Sequence, residues 1–137
     1  LKKPNCAVGV GVAQAEDLDA VVAFDAAITG TEKTGYWQDM FERFTPKGAQ
    51  SKHYFLVGKS PDHELMGFII GEIRAWEFGS PPCGWVLALS VTPGQRQQGI
   101  GTRLFEALCT HMKNDGATTI RTMVLHSDKT NLSFFRG

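Results

Sequence analysis

The chain has no excess of charge of either sign, because 14 lysines and arginines balance 14 aspartates and glutamates over 137 residues. The strongly basic surface that nucleic-acid binding requires is therefore not indicated. Hydrophobic residues make up 42% of the chain, unlike disordered proteins, which combine few hydrophobic residues with high net charge. These values predict one globular domain over residues 1–137 with a substantial core and no nucleic-acid partner.

Long hydrophobic runs are missing as well. Apolar runs such as residues 68–70 and 85–89 are far shorter than the about 20 residues that cross a bilayer. No charged and then apolar leader opens the chain. We therefore expect a soluble, cytoplasmic protein with no membrane partner. The sequence begins at Leu1 and ends at Gly137, which is consistent with trimming at both ends.

Cysteine and histidine are scarce and scattered. The three cysteines are odd in number and lack the C-x-x-C spacing of zinc and redox sites; they are Cys6, Cys83 and Cys109. The four histidines lie at no metal-ligand spacing; they are His53, His63, His111 and His126. We expect reduced thiols, no disulfide framework and no metal.

What the sequence does contain is an ordered series of strand-like and helix-like segments. Alternating or continuous apolar residues predict strands at 6–13, 53–59, 65–79, 85–91 and 118–126. Apolar residues at helical spacing predict helices at 15–30, 36–44 and 99–115. Gly30 is the predicted cap of the first helix and Gly116 that of the third, and a further helix start is predicted at 129–136. The turn-like residues 60–64 make the second and third strands antiparallel neighbours. The order β-α-α-β-β-β-α-β indicates a mixed α/β architecture.

The third predicted helix begins with 96-RQQGIG-101. A helix N-terminus has unpaired backbone N–H groups and a partial positive charge. Gly99 and Gly101 let an anion approach this backbone, and Arg96 adds a forked cationic donor. The pattern indicates a pyrophosphate site; the alternative is a tight turn without a ligand. Neither a P-loop nor a dinucleotide turn fits, because G-x-x-x-x-G-K-[ST] is absent and Leu104 replaces the third glycine of G-x-G-x-x-G.

The end of the preceding strand completes a longer pattern. A strand ending in V-x-P, followed by [RQ]-x-x-G-x-[GA] at a helix start, resembles the acetyl-CoA motif of the GNAT N-acetyltransferase superfamily; here it is 91-VTP-93 and 96-RQQGIG-101. The resemblance extends from the first strand to 134-FF-135, which in the family precedes a G-F pair and a final strand. It implies an α/β GNAT fold, a mixed central sheet flanked by helices with a splayed cofactor slot. The sequence stops at Gly137, before that final strand.

The resemblance also implies acetyl-CoA as co-substrate. Backbone N–H groups of the glycine motif would hold its pyrophosphate, and the end of the preceding strand would pair with its pantetheine arm. A bulge in that strand would splay it from the strand at 118–126. The N–H groups near Leu89 and Ser90 would polarise the thioester carbonyl. The cofactor residues so implied are Leu89, Ser90, Val91, Arg96, Gln97, Gln98, Gly99, Ile100, Gly101 and Thr102.

Acetyl transfer also needs a base, because an alkylamine with a pKa of about 10.4 is almost fully protonated at neutral pH. Glu72 is the first candidate, since it is in phase with the apolar residues of its strand; the alternative is a solvated or ion-paired residue. Glu77 is a weaker candidate, because it lies where the strand ends, and Asp25 on the first predicted helix is instead a candidate for a capped or acceptor-facing carboxylate. Ser90 is the one polar side chain of the motif strand, so the predicted catalytic residues are Glu72 and Ser90.

The family's usual acid is missing from its expected place. Many members have a tyrosine that protonates the leaving thiolate and an asparagine seven residues before it. Phe135 and Asp128 fall at these positions, and Asn131 is out of register. His126 is another candidate acid, and a thiolate whose thiol has a pKa of about 8.5 can also leave unassisted.

Aromatic residues of the second predicted helix have two interpretations. Tyr36, Trp37 and Phe41 belong either to the core or to the wall of the acceptor site, which the family tends to build from this helix and the loop before it. Tyr36 is the acceptor candidate among them, and Trp76 is similarly undecided.

Together these features predict an acetyl-CoA-dependent N-acetyltransferase that acts on a primary amine of a small molecule or peptide by direct attack. One alternative is a non-catalytic acyl-CoA-binding sensor or scaffold of the same fold. Another is a nucleotide-binding regulator that uses only the glycine turn. The acceptor stays open among small amines, amino acids, antibiotics and protein N-termini. A homodimer is possible if a missing final strand exposes a sheet edge, although trimming explains the gap equally well.

Overall fold

A mixed sheet forms the centre of the fold in the computed structural model, which describes residues 9–44, 52–74, 82–92 and 99–122. Its five strands in this part of the chain are β1 (Gly9–Val12), β2 (His53–Lys59), β3 (Leu65–Arg74), β4 (Cys83–Val91) and β5 (Ile120–Thr122). The helices are α1 (Leu18–Thr29), α2 (Thr34–Phe44) and α3 (Ile100–Asn114), and a short 3-10 turn at Ala15–Asp17 precedes α1. The predicted element order and the mixed α/β fold class are confirmed as far as β5. The helix start predicted at 129–136 lies outside the described residues.

The strands lie side by side in chain order, from β1 to β5. All neighbours are antiparallel except β4 and β5, which are parallel. Parallel neighbours need a crossover connection, and α3 supplies it. The predicted hairpin of β2 and β3 is confirmed, with the Ser60 N–H donating to the Glu64 carbonyl across its turn.

α3 covers one face of the sheet. Its predicted apolar stripe is wholly buried, at 0% exposure for each of Ile100, Leu104, Leu108 and Met112. These side chains pack against alternate residues of β2, β3 and β4, because side chains along a strand point to opposite faces in turn. The helical spacing of these apolar residues in the sequence therefore correctly predicts which side of α3 packs against the sheet.

α1 and α2 cover the opposite face with an aromatic core. The predicted stripe of α2 is buried there; it comprises Trp37, Met40, Phe41 and Phe44. The Trp37 ring packs edge-on against Phe68 of β3, with ring centroids 5.3 Å apart, and Phe41 lies 4.6 Å from Phe55 of β2. The core interpretation of Trp37 and Phe41 is thus confirmed.

The two helix ends predicted from glycines differ in detail. The C-cap of α1 is Gly30, as predicted, in a left-handed conformation with φ 82°. The C-cap of α3 is Asp115 instead of the predicted Gly116. Gly116 follows the cap with φ 104°, and the N–H of Ala117 donates to the Met112 carbonyl. This closing turn is a common helix ending in which glycine occupies the position after the cap.

No helix in the described ranges combines the length and the apolar character that a membrane span requires.

Candidate active site

α3 begins at the glycine motif. Gly99 is its N-cap, with φ 78° and ψ 14°, a left-handed conformation that glycine adopts readily. The Gly99 carbonyl accepts the first helical hydrogen bond, from the Arg103 N–H at 3.0 Å. No acidic side chain occupies the first turn, so its positive end is not neutralised locally. This geometry fits an anion held by the backbone from Gly99 to Thr102. The motif residues Arg96, Gln97 and Gln98 lie outside the described residues.

β4 contains the bulge that the resemblance implied. Ile70 of β3 pairs with Ala88, whereas its neighbour Gly71 pairs with Val86, so Leu87 is an extra residue in β4. The Leu87 side chain is exposed. Before the bulge, β4 pairs with β5 at residues 84–86. Residues 123–126 of the predicted last strand lie outside the described part, so the splay of the two strands stays a prediction.

Beyond the bulge, the backbone direction of β4 can be read from one hydrogen bond. The Thr92 N–H donates to the Met66 carbonyl at 2.9 Å, toward β3. Successive N–H groups along a strand point to opposite edges. The N–H of Ser90 therefore also points toward β3, whereas those of Leu89 and Val91 point to the other edge. Of the two amides predicted to polarise a thioester, only that of Leu89 lies on the edge where an extended arm could pair.

One row of side chains crosses four strands just before the bulge, on the face that carries α1 and α2. In this cross-strand row His53 pairs with Glu72, Glu72 with Trp85, and Trp85 with Arg121. Glu72 shares its face with Phe68 and Ile70, which belong to the core beneath α1 and α2.

Glu72 lies in the middle of the cross-strand row, with Arg74 beside one carboxylate oxygen and His53 beside the other. Its Oε2 accepts a hydrogen bond from Arg74 Nε at 2.6 Å, and its Oε1 lies 3.5 Å from His53 Nε2. The Glu72 side chain is only 12% exposed, compared with 43% for His53. Further along the row, the Arg121 guanidinium lies 5.8 Å from the centre of the Trp85 ring. These contacts are those of an ion-paired residue, and its role as a base stays a prediction.

Ser90 is not close to Glu72. It lies opposite Phe68, on the same face but four positions along β3 from Glu72. At about 3.3 Å per residue, this is roughly 13 Å along the sheet. The fold thus places the two predicted catalytic side chains on one face without bringing them together.

Asp25 is held by α2 and the loop before it. Its Oδ2 accepts a hydrogen bond from Trp37 Nε1 at 3.2 Å and lies 3.3 Å from Lys33 Nζ. Tyr36 packs edge-on against Trp37 but is 54% exposed, so it is the one of the three aromatic candidates that lies at the surface.

An open groove of about 620 Å³ lies between the start of α1 and α2, and none of its lining residues belongs to the sheet. It is lined by Ala15, Leu18, Gly35, Gln38, Asp39, Phe41 and Glu42.

In the described ranges, no three histidine, cysteine or acidic side chains are grouped as metal ligands. Cys83 is buried. Burial, and secondarily the charge of Glu106, raises the pKa of Cys109 and so disfavours its thiolate. The candidates that lie outside the described residues are Cys6, Trp76, Glu77, His126, Asp128, Asn131 and Phe135.

The sequence analysis missed His53, Arg74, Trp85 and Arg121 as neighbours of Glu72. The hairpin offered only an approximate signal, because His53 lies seven residues before the predicted turn at 60–64 and Glu72 eight residues after it, and a register shift between Gly58 and Lys59 makes them partners. Arg121 offered none, since its place beside Trp85 depends on how α3 crosses the sheet.

Comparisons with known proteins agree with this arrangement. The family model described as acetyltransferase (GNAT) family matches residues 18–136. The structure of AAC(6')-Iy in complex with a bisubstrate analogue, CoA-S-monomethyl-acetylneamine, is similar over 94% of this chain and 87% of its own, at a TM-score of 0.81 and 14% identity. The aminoglycoside antibiotic 6'-N-acetyltransferase AAC(6')-Ih from Acinetobacter baumannii has a TM-score of 0.79 with the same identity and coverage. A transcriptional regulator from Bacillus halodurans has a TM-score of 0.77 at 17% identity, over 94% of this chain and 89% of its own. At these identities the likeness establishes a shared fold.

Proposed function

Because the chain belongs to the acetyltransferase (GNAT) family, we propose that it is an acyltransferase that moves the acetyl group of acetyl-CoA to a primary amine by direct attack. In this proposal residues 1–137 form one acetyltransferase domain. The site lies where β4 leads into α3.

One observation carries the proposal: a bulged strand is followed along the chain by a helix that begins at a left-handed glycine. The N–H groups of Leu89 and Val91 point to the edge of β4 away from β3, and the first turn of α3 begins at the left-handed Gly99. An extended arm can pair with that edge as a strand does, while its phosphates meet the helix N-terminus. The strand edge and the helix start would both bind through backbone N–H groups, which explains why so few side chains of the motif are charged or reactive.

The chemistry assigned to the chain's own groups is modest. The Leu89 N–H polarises the thioester carbonyl and stabilises the oxyanion that forms on attack. Glu72 accepts a proton from the acceptor ammonium. Its partner on β4, Trp85, lies two residues before the bulge at Leu87. For the proton transfer, the acceptor has to approach Glu72 from the α1 and α2 face, beside the ion pair of Glu72 with Arg74. Ser90, directed to the same face, is proposed to contact the cofactor or the acceptor.

A small-molecule amine is the proposed acceptor. The aminoglycoside N-acetyltransferases of similar fold support this class, and the exposed Tyr36 on α2 offers an aromatic surface for it. An acyl-CoA-binding sensor or scaffold is the alternative, since the regulator from Bacillus halodurans shares the fold. A cytoplasmic location and a homodimer stay predictions.

Paired glycine substitutions test the cofactor site. Gly99→Val and Gly30→Val each place a β-branched residue at φ near 80°, so both should destabilise their helix ends similarly. Only Gly99 lies at the proposed pyrophosphate site. Titration calorimetry of acetyl-CoA and desulfo-coenzyme A should show that Gly99→Val lowers affinity by roughly a hundredfold or more, about 2.7 kcal/mol, while Gly30→Val binds as the wild type does.

ATP is the matched control ligand, because it has phosphates but no pantetheine arm. Comparable binding of ATP would favour a nucleotide site, and equal affinity of wild type and Gly99→Val would reject the pyrophosphate assignment. Release of coenzyme A with an amine panel then separates the enzyme from the sensor: tight binding without release supports the sensor.

A further inference from the structure

We propose that His53 carries to solvent the proton that Glu72 takes from the acceptor amine. The inference rests on the proposed function, in which Glu72 is the base. In this role His53 does not touch the reacting atoms but acts through Glu72, as a relay on the neighbouring strand.

The proton balance of the reaction creates the need for such a relay. An ammonium and a thioester become an amide and a thiol, so the nitrogen loses two protons while a C–N bond forms and a C–S bond breaks. The first proton leaves before attack and goes to the base. The second leaves the tetrahedral adduct and goes to the departing thiolate, which becomes the thiol. The first proton has to leave the base before the next turnover.

Glu72 is poorly placed to release this proton by itself. Its side chain is 12% exposed, and one of its oxygens is hydrogen-bonded to Arg74 at 2.6 Å. A guanidinium is always protonated in proteins and accepts no proton. The other oxygen, Oε1, faces His53 Nε2 at 3.5 Å. The route from Glu72 therefore leads to His53.

His53 has the properties of a proton carrier. Its imidazole can accept a proton at one nitrogen and release one from the other. The side chain is 43% exposed, so it connects the largely buried carboxylate with water. The Phe44 ring packs edge-on against the imidazole, with centroids 5.0 Å apart. The 3.5 Å separation is slightly longer than a direct hydrogen bond, as catalytic hydrogen bonds often are before substrate binds.

The test compares His53→Gln with His111→Gln in the full chain. His111 is an exposed histidine of α3 that contacts the Tyr54 ring, on the other face of the sheet. Turnover is followed as coenzyme A release at neutral pH in weak buffer, with sisomicin, spermidine, glucosamine and a lysine peptide as acceptors. His53→Gln should lower kcat at least roughly tenfold and leave the KM for acetyl-CoA unchanged, whereas His111→Gln should behave as the wild type.

Rescue distinguishes a relay from a structural role. Added 1,2-dimethylimidazole, a proton acceptor without an N–H to acetylate, should restore the kcat of His53→Gln and have little effect on the wild type. Loss of kcat without rescue, or full activity of His53→Gln in weak buffer, would overturn the relay.

Glu72→Gln separates this inference from the proposed function. It should lower kcat by roughly a hundredfold. If Glu72→Gln is inactive and His53→Gln has the activity of the wild type, Glu72 is supported as the base and the relay by His53 is wrong. If Glu72→Gln is fully active, or no acceptor yields coenzyme A with the wild type, the proposed function fails and the relay fails with it.

Discussion

Replacing Gly67 by alanine tests how closely β3 approaches the part of β4 assigned to the pantetheine arm. A Cβ added at Gly67 would lie 2.6 Å from the backbone carbonyl oxygen of Ser90 and 3.3 Å from the Cα of Val91. A carbon and a carbonyl oxygen normally approach to about 3.3 Å, so the two strands have to separate by about 0.7 Å. Because the nearest atom belongs to the backbone, no rotamer change can relieve this clash.

The expected magnitude follows from two opposing effects. Overpacking of this kind destabilises by about 1–3 kcal/mol, and replacing glycine by alanine returns about 0.4–1 kcal/mol by restricting the unfolded chain. We expect a net loss of about 1–2 kcal/mol in the free energy of unfolding, together with weaker acetyl-CoA binding, since Leu89 and Val91 would move with the strand.

Urea unfolding and titration calorimetry measure the two effects. Gly11→Ala is the matched control, because an added Cβ on this β1 glycine has no atom within 4 Å. If Gly67→Ala proves as stable as Gly11→Ala and binds acetyl-CoA equally well, the close approach of β3 to this part of β4 is not what positions the site.

Two further predictions concern polar contacts beside the sheet. Lys59 Nζ lies 2.6 Å from the buried Asp17 carboxylate, and Lys59→Met removes this cation. The free energy of unfolding measured in urea should fall by about 2–3 kcal/mol, whereas Lys59→Arg should keep most of the stability. A methionine variant as stable as the wild type would contradict this. Burial, followed by the hydrogen bond to Asp115 and the charge of that carboxylate, raises the pKa of Tyr54 above its ordinary value of about 10. Its contribution to stability is therefore complete below pH about 10 and is lost as the pH rises further, because the unfolded chain releases the phenol proton first. Between pH 8 and pH about 11, the midpoint of urea unfolding should fall more for the wild type than for Tyr54→Phe. An equal fall for the two proteins would contradict the prediction.

The features of the candidate site that depend on local backbone conformation were predictable. Those that depend on residues far apart in the sequence were not. Gly99 opens α3 as its sequence motif indicates, since a glycine after a strand and before an amphipathic segment is a local signal. The surroundings of Glu72 were not predictable in the same way. Arg74 is two residues away and on the same face, but nothing in the sequence shows that it pairs with Glu72 while His53 approaches the other oxygen.

Buried charges illustrate the same limit. Asp17 lies in the first turn of the helix predicted at 15–30, where a helix dipole favours an acidic residue. In the structure it is 4% exposed and bonded both to the Gln14 N–H and to Lys59 on β2. Its partner is 42 residues away in the chain, and only the packing of the 3-10 turn against the sheet brings them together.

The sequence by itself determined the element order, the faces that the helices bury and the start of α3 at Gly99. Each of these follows from spacing within a few residues, because helix and strand periods and glycine conformations act locally. Only the tertiary structure decided that Leu87 bulges out of β4, that Leu89 rather than Ser90 points its N–H to the edge away from β3, and that His53 and Arg121 join Glu72 in one row. These features depend on strand register, which is set by the packing of whole strands against both helical layers, and a shift of one residue would reverse every face.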